Sequence, residues 1–123
     1  MKDLKISKEL ISEVLNIPKE SITDIYTDGN YLLIRKTNGR IEEYNIYGFA
    51  FKCKEWALKK EFIISSSPTQ KKEFTSLAQN FDMYQLYYGK NQFYALTEVG
   101  AIIKACNWIL EQNKWFYNNY KKR

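Results

Sequence analysis

Cys53 lies in the stretch NIYGFAFKCKEWALKK, residues 45–60, among Lys52, Lys54, Lys59 and Lys60 and three positions before Trp56. Ammonium groups beside a thiol lower its pKa and make a nucleophilic thiolate, so this is the first place to look for chemistry. Helical geometry argues against it. At about 100° per residue, Ile46, Phe49, Ala50, Cys53, Trp56 and Ala57 fall on one arc with the thiol near its centre, while Lys52, Glu55 and Lys59 lie roughly opposite. A thiol on such a face behaves as a small hydrophobe whose pKa rises with burial. Tyr47, Phe51 and Leu58 form a second apolar flank, so this helix is expected to be packed on two sides.

Cys106 reads the same way, sharing a helical face with Val99, Ile102, Ile103, Ile109 and Leu110. A zinc site wants four N, S or O ligands, and two cysteines with no histidine among 123 residues argue against one built on Cys53 and Cys106. The missing histidine also removes Ser-His and Cys-His activation and the commonest general acid and base. The acids fall into local roles: Asp28 in a turn, Glu42 and Glu43 in a hairpin, Glu98 at a helix start. No glycine-rich loop is present to cradle phosphate. The expectation is a protein that is not an enzyme, with no catalytic residue, no metal and no cofactor.

Two surfaces remain as candidates. Trp108 and Trp115 are seven residues apart on the side of the last helix opposite Cys106, near Lys104 and Glu111. Exposed tryptophan is common at binding hot spots, so Lys104, Trp108, Glu111 and Trp115 form a candidate interaction surface, for a protein partner or a second copy of the chain. The competing reading, slightly favoured, is that Trp108 packs under a loop or against the first helix. The second candidate is the C-terminal KWFYNNYKKR, where Lys114, Tyr117, Tyr120, Lys121, Lys122 and Arg123 alternate rings and cations, a pattern that suits single-stranded nucleic acid. The net charge is +5, and these last ten residues carry four of the five. Residues 1–113 therefore hold no excess that would bind phosphates, and a frayed, solubilising terminus is the commoner explanation of such a tail.

The elements that position these residues follow from local signals. Ser7 caps a first helix with an apolar stripe of Leu10, Ile11, Val14 and Leu15, Ile6 and Ile11 forming a staple, and Asn16 and Pro18 ending it. SITDIYT, YLLIRK and IEEYN read as three antiparallel strands turning at Asp28-Gly29 and Asn38-Gly39. A two-residue turn at Asn38-Gly39 sets Arg35 opposite Glu42 and Leu33 opposite Tyr44. Asn45 caps the second helix, EFIISSS is a strand, and MYQLYYGKNQFYAL is a hairpin turning near Gly89-Lys90-Asn91. The segment from Phe74 to Phe81 stays open between strand and helix. Thr97 caps the last helix, with Glu98 in its first turn. ISKELISEVLNIPKESI fails as a helix-turn-helix, because the second helix would be short, β-branched and without base-reading side chains.

The fold class expected is α+β: an N-terminal helix, a three-strand antiparallel meander, a central helix, further antiparallel strands, and a C-terminal helix packed on one sheet face. Residues 1–113 make one globular domain, and 114–123 a basic aromatic tail able to continue the last helix. Each half runs hairpin then helix, and the helices contain CKEWAL and ACNWIL; chance similarity is preferred to duplication of a ββα unit. No apolar run spans a bilayer, and MKDLKISKEL has no signal-peptide core, so the expected location is the cytoplasm with no membrane partner.

ISKELISEVLNI, NIYGFAFKCKEWA and ALTEVGAIIKACNWIL together resemble a set of small proteins encoded by bacteriophages and prophages of AT-rich bacteria. The resemblance runs through most of the chain in order and departs at Val99-Gly100, where the set carries proline and an acid. The set has no established activity, so the resemblance implies context and not mechanism: a phage or mobile-element binding protein, for instance an inhibitor of a host macromolecule or defence component. The alternative is a nucleic-acid-binding accessory protein using the tail.

Overall fold

The computed structural model describes residues 4–80 and 90–120. Helix α1 (Lys8–Leu15) leads through a tight helical turn at Lys19–Ser21 into strands β1 (Ile22–Asp28), β2 (Tyr31–Lys36) and β3 (Ile41–Asn45). Helix α2 (Ile46–Lys59) follows, then β4 (Phe62–Pro68), β5 (Phe74–Asn80), β6 (Lys90–Ala95) and helix α3 (Glu98–Tyr120). The strands form two separate antiparallel sheets, β1-β2-β3 and β4-β5-β6. The fold is α+β, and the order of three strands then one helix occurs twice. α3 packs across β4, β5 and β6, α2 packs on α3, and α1 closes against both helices.

The caps form as their side chains dictate. Ser7 Oγ accepts from the Leu10 N–H at 3.1 Å, and Thr97 Oγ1 accepts from the Gly100 N–H at 3.0 Å. Asn16, in the left-handed region at φ 58°, ends α1. Asn45 has the most demanding task, because β3 runs straight into α2 with no loop. Its Oδ1 accepts from the N–H groups of Tyr47 (2.9 Å) and Gly48 (3.2 Å), and the Ile46 N–H donates to the Asn30 carbonyl at 2.8 Å.

Three expectations need correction. The β2–β3 register is one residue away from the one expected: Leu32 faces Tyr44, Ile34 faces Glu42 and Arg35 faces Ile41. The loop holds three residues, not two. The Gly39 N–H closes a turn onto the Lys36 carbonyl (2.9 Å), Gly39 takes φ 88°, and the Lys36 N–H reaches the Arg40 carbonyl (2.8 Å). A turn followed by a left-handed glycine adds one residue and so moves every pairing by one. The charge complementarity sought between Arg35 and Glu42 is met elsewhere: Asp24 stands opposite Arg35, and Glu42 pairs with Lys36 at 2.5 Å. Leu32 and Ile34, both fully buried, thereby point inward with Tyr44.

The second correction concerns β6. Lys90 and Asn91 belong to the strand and not to a turn, and β6 pairs with β5, Ser76 facing Phe93. Residues 81–89, the other arm of the expected hairpin, lie outside the described residues. The open segment Phe74–Asn80 is the central strand, its inward Ser76 hydroxyl donating to the Ala101 carbonyl of α3 at 2.7 Å. Third, the expected second packed flank of α2 is not packed: Tyr47, Phe51 and Leu58 are 55%, 64% and 52% exposed.

Asn45→Ala removes the acceptor for two helix N–H groups at a junction with no loop to absorb the change. The expected loss is about 1–2 kcal/mol, read as a lower urea midpoint with an unchanged slope.

Candidate interaction surface

The apolar arc of α2 is buried as its spacing dictates: Ile46, Phe49, Ala50, Cys53, Trp56 and Ala57 all sit in the core. So does the arc of α3 that carries Cys106. The two thiols meet where the helices cross, the Cys106 sulfur lying 4.0 Å from the Cys53 carbonyl oxygen. The hydrogen bond to Cys106, together with burial, pushes the Cys53 thiol far above its ordinary range, which keeps it protonated and unreactive. Lys52 and Lys59 are exposed, and Lys54 turns away toward Ser66. Among the described residues no three His, Cys, Asp or Glu side chains are placed to hold a metal ion, and no helix is long and apolar enough to cross a membrane.

The four residues proposed as one surface on α3 do not share one environment. Trp108 is half-buried, meeting Phe62 edge-on (centroids 5.5 Å, planes at 84°) and Phe93 at a tilt (6.1 Å, 54°). Offset and edge-on ring pairs of this kind add to the burial term, so Trp108 contributes to packing α3 on its sheet. Lys104 donates to the Tyr94 carbonyl at 2.6 Å. Glu111 is exposed and accepts from Lys114 at 3.5 Å. Trp115 lies further along α3, and its side chain is outside the described residues.

Of the basic tail, residues 114–120 continue α3 as a helix. Lys114 Nζ bonds Glu9 on α1 at 2.9 Å, and the bond to Glu9 raises its pKa above the ordinary lysine value. That cation is already paired with two carboxylates, Glu9 and, at 3.5 Å, Glu111. The side chains of Tyr117 and Tyr120, and the whole of Lys121, Lys122 and Arg123, lie outside the described residues.

Two polar clusters and one apolar line were not singled out from sequence as sites. Lys54 Nζ donates to Ser66 Oγ (3.1 Å), and Ser66 donates to the Glu98 carboxylate (3.1 Å), bridging α2, β4 and α3. Lysine and serine together can make a nucleophile, but here the ammonium donates to the hydroxyl and is no base; the geometry is that of a strap. The second cluster follows from the one-residue change of register. Glu42 accepts from Lys36 and from the Tyr44 hydroxyl, the latter at 2.5 Å, and these two bonds hold its carboxyl below the ordinary range. Burial first, and then Glu42, push the Tyr44 phenol up to about 12. The third feature, the exposed line Tyr47–Phe51–Leu58, was visible in the spacing as a second flank; only its lack of cover was hidden.

Comparison with protein-family models, with curated proteins and with solved structures finds no match to this chain. Function therefore has to be argued from its own surfaces.

Two outcomes follow. Trp108→Ala, which deletes a ring held between Phe62 and Phe93, is expected to cost about 3 kcal/mol of stability, measured by denaturant unfolding. A loss under half that size would show that the indole packs too loosely to anchor α3. The second concerns pH. Because the Tyr44 phenol is raised, the stability it lends is complete below its ordinary value of 10.0 and is lost as pH climbs toward about 12. Because Glu42 is lowered, its contribution is present above 4.5 and disappears on acidification through its depressed value. Ultraviolet titration of phenolate should show one tyrosine ionising near 12 in the native protein and absent in Tyr44→Phe.

Proposed function

We propose that this chain is a non-enzymatic binding protein of phage or mobile-element origin, and that it docks on a protein partner through the exposed line of α2. The observation that carries the reading is the exposure of Tyr47, Phe51 and Leu58, each more than half open to solvent on a helix whose other apolar face is already buried. The three sit at i, i+4 and i+11, one line along the helix about 16 Å long. Burying each such side chain is worth about 1.5–3 kcal/mol, which a partner covering the line would recover. Exposed Lys52, Glu55 and Lys59 beside it supply the polar rim that such interfaces have. The phage origin rests on the resemblance of three sequence segments. Occupying a host macromolecule, for instance a defence component, is the mode of action that needs no catalytic group.

The nucleic-acid alternative is weakened by Lys114, which is held by Glu9 and Glu111.

The test is a double variant, Phe51→Ser with Leu58→Ser, which leaves the core untouched and should unfold within about 1 kcal/mol of the parent. Bound protein recovered from a host lysate with the parent should be lost with the variant. An unchanged set of captured proteins, or a salt-sensitive gel shift that vanishes when residues 114–123 are removed, would defeat the proposal. Light scattering on parent and variant separates self-association from capture of another protein.

A further inference from the structure

A cavity of about 580 Å³ opens on the far side of the molecule's last helix, where the N-terminal segment, the end of β6 and the first turns of α3 meet. It is independent of the α2 line. Its volume lies within the range of small-molecule sites, roughly 300–1,000 Å³. The walls are mainly apolar: Leu4, Tyr94, Leu96 and Ile103. Ile103 is buried at the base, whereas Leu96 stands 69% exposed at the lip. Tyr94, also half exposed, lies with Leu96 along the same cavity, so the open apolar surface is continuous with the hollow and not a lone side chain.

The charges are placed at the rim. Lys5 and Lys104 both line the cavity, and Glu73 is the one acid among its lining residues. The Lys104 ammonium is fixed by its 2.6 Å bond to the Tyr94 carbonyl, which occupies one of its three N–H donors and leaves two for an incoming acceptor. An apolar hollow with two cations against one carboxylate complements a molecule with an apolar body and one negative head. We propose that this cavity binds a freely diffusing small monocarboxylate with an aliphatic or aromatic body, the carboxylate meeting Lys104 and Lys5 and the body lying against Leu96 and Ile103.

Decanoate and decyltrimethylammonium share a tail and differ in the sign of the head, so calorimetric titration of the full chain with each is the direct probe. The expected result is saturable one-to-one binding of decanoate, below its micellar concentration, at least roughly tenfold tighter than the cation. Lys104→Gln should weaken decanoate by up to about fivefold and Lys5→Gln by less, while Lys59→Gln, on α2, should leave it unchanged. Leu96→Ser should weaken both ligands together. All four substitutions are at exposed positions and should fold as the parent does. Equal affinity for the two head groups would overturn the proposal, as would full decanoate affinity in the Lys5→Gln/Lys104→Gln double variant. An equal loss in Lys59→Gln would also overturn it, by showing that net charge and not the cavity selects the anion. Sedimentation with phosphatidylglycerol vesicles by a chain that ignores free decanoate would place the chemistry on a lipid surface and sink the proposal too.

Discussion

The buried faces of α2 and α3 intersperse small residues among large ones, Ala50, Cys53 and Ala57 on one and Ala101, Ala105 and Cys106 on the other, and where they meet a side chain of one helix reaches the backbone of its neighbour. α3 packs on all three strands of the second sheet, while α2 packs on β2 and β3 of the first sheet and on β4 of the second, so β4 lies against both helices. Close approach at the crossing draws the larger side chains, Phe49, Trp56, Ile102 and Ile109, into one shared core in place of two shallow ones. A small domain buries little surface for its length, and splitting that core would leave two halves too small to fold. Cysteine suits the crossing because it is small, apolar in practice and tolerant of burial while protonated.

Polar contacts act at the margins of this core and fix orientation. Ser76 donates to the Ala101 carbonyl from inside the second sheet, and Ser66 links Lys54 to Glu98 at its edge. Glu13 reaches Trp56 and Lys60, and Glu9 reaches Lys114, so α1 is tied to both long helices. The exposed ion pairs among these contribute little each, by themselves a fraction of a kcal/mol. Their effect is to select one rotation of each helix about an apolar seam that would tolerate several.

Local signals made much of this legible. The caps Ser7, Asn45 and Thr97, both apolar arcs and the first meander depend on short-range sequence chemistry, and all appear in place. What was not legible depends on geometry that spacing alone does not carry. Asn-Gly permits a two-residue turn, but Thr37-Asn38-Gly39 forms a three-residue one, and a single residue there decides which side chains face inward. The spacing of Phe74–Asn80 did not separate strand from helix, because its inward residues are small, Ser76 and Ala78, and the strand is specified by its neighbours. Exposure is the hardest quantity to read: Trp108 and the line Tyr47–Phe51–Leu58 are both apolar flanks opposite a cysteine face, and periodicity treats them alike.

The structure separates them by what lies above each. The order of strands and helix is the same in both halves, yet among the described residues Trp108 on the outer flank of α3 is partly covered and the line on α2 is not. Phe62 and Phe93, from the two edge strands of the second sheet, close over Trp108. The first sheet sends no equivalent pair over Tyr47, Phe51 and Leu58; its inward residues, Leu32, Ile34 and Tyr44, join the core on the opposite side of α2. A flank of this size costs solubility unless something covers it, and the second half of the same chain shows how little sequence is needed to supply that cover, two phenylalanines on the two edge strands of one sheet. Among the described residues, the missing cover over α2 therefore follows from which side chains the first sheet carries, and not from a packing constraint of the strand-and-helix order, which both halves share.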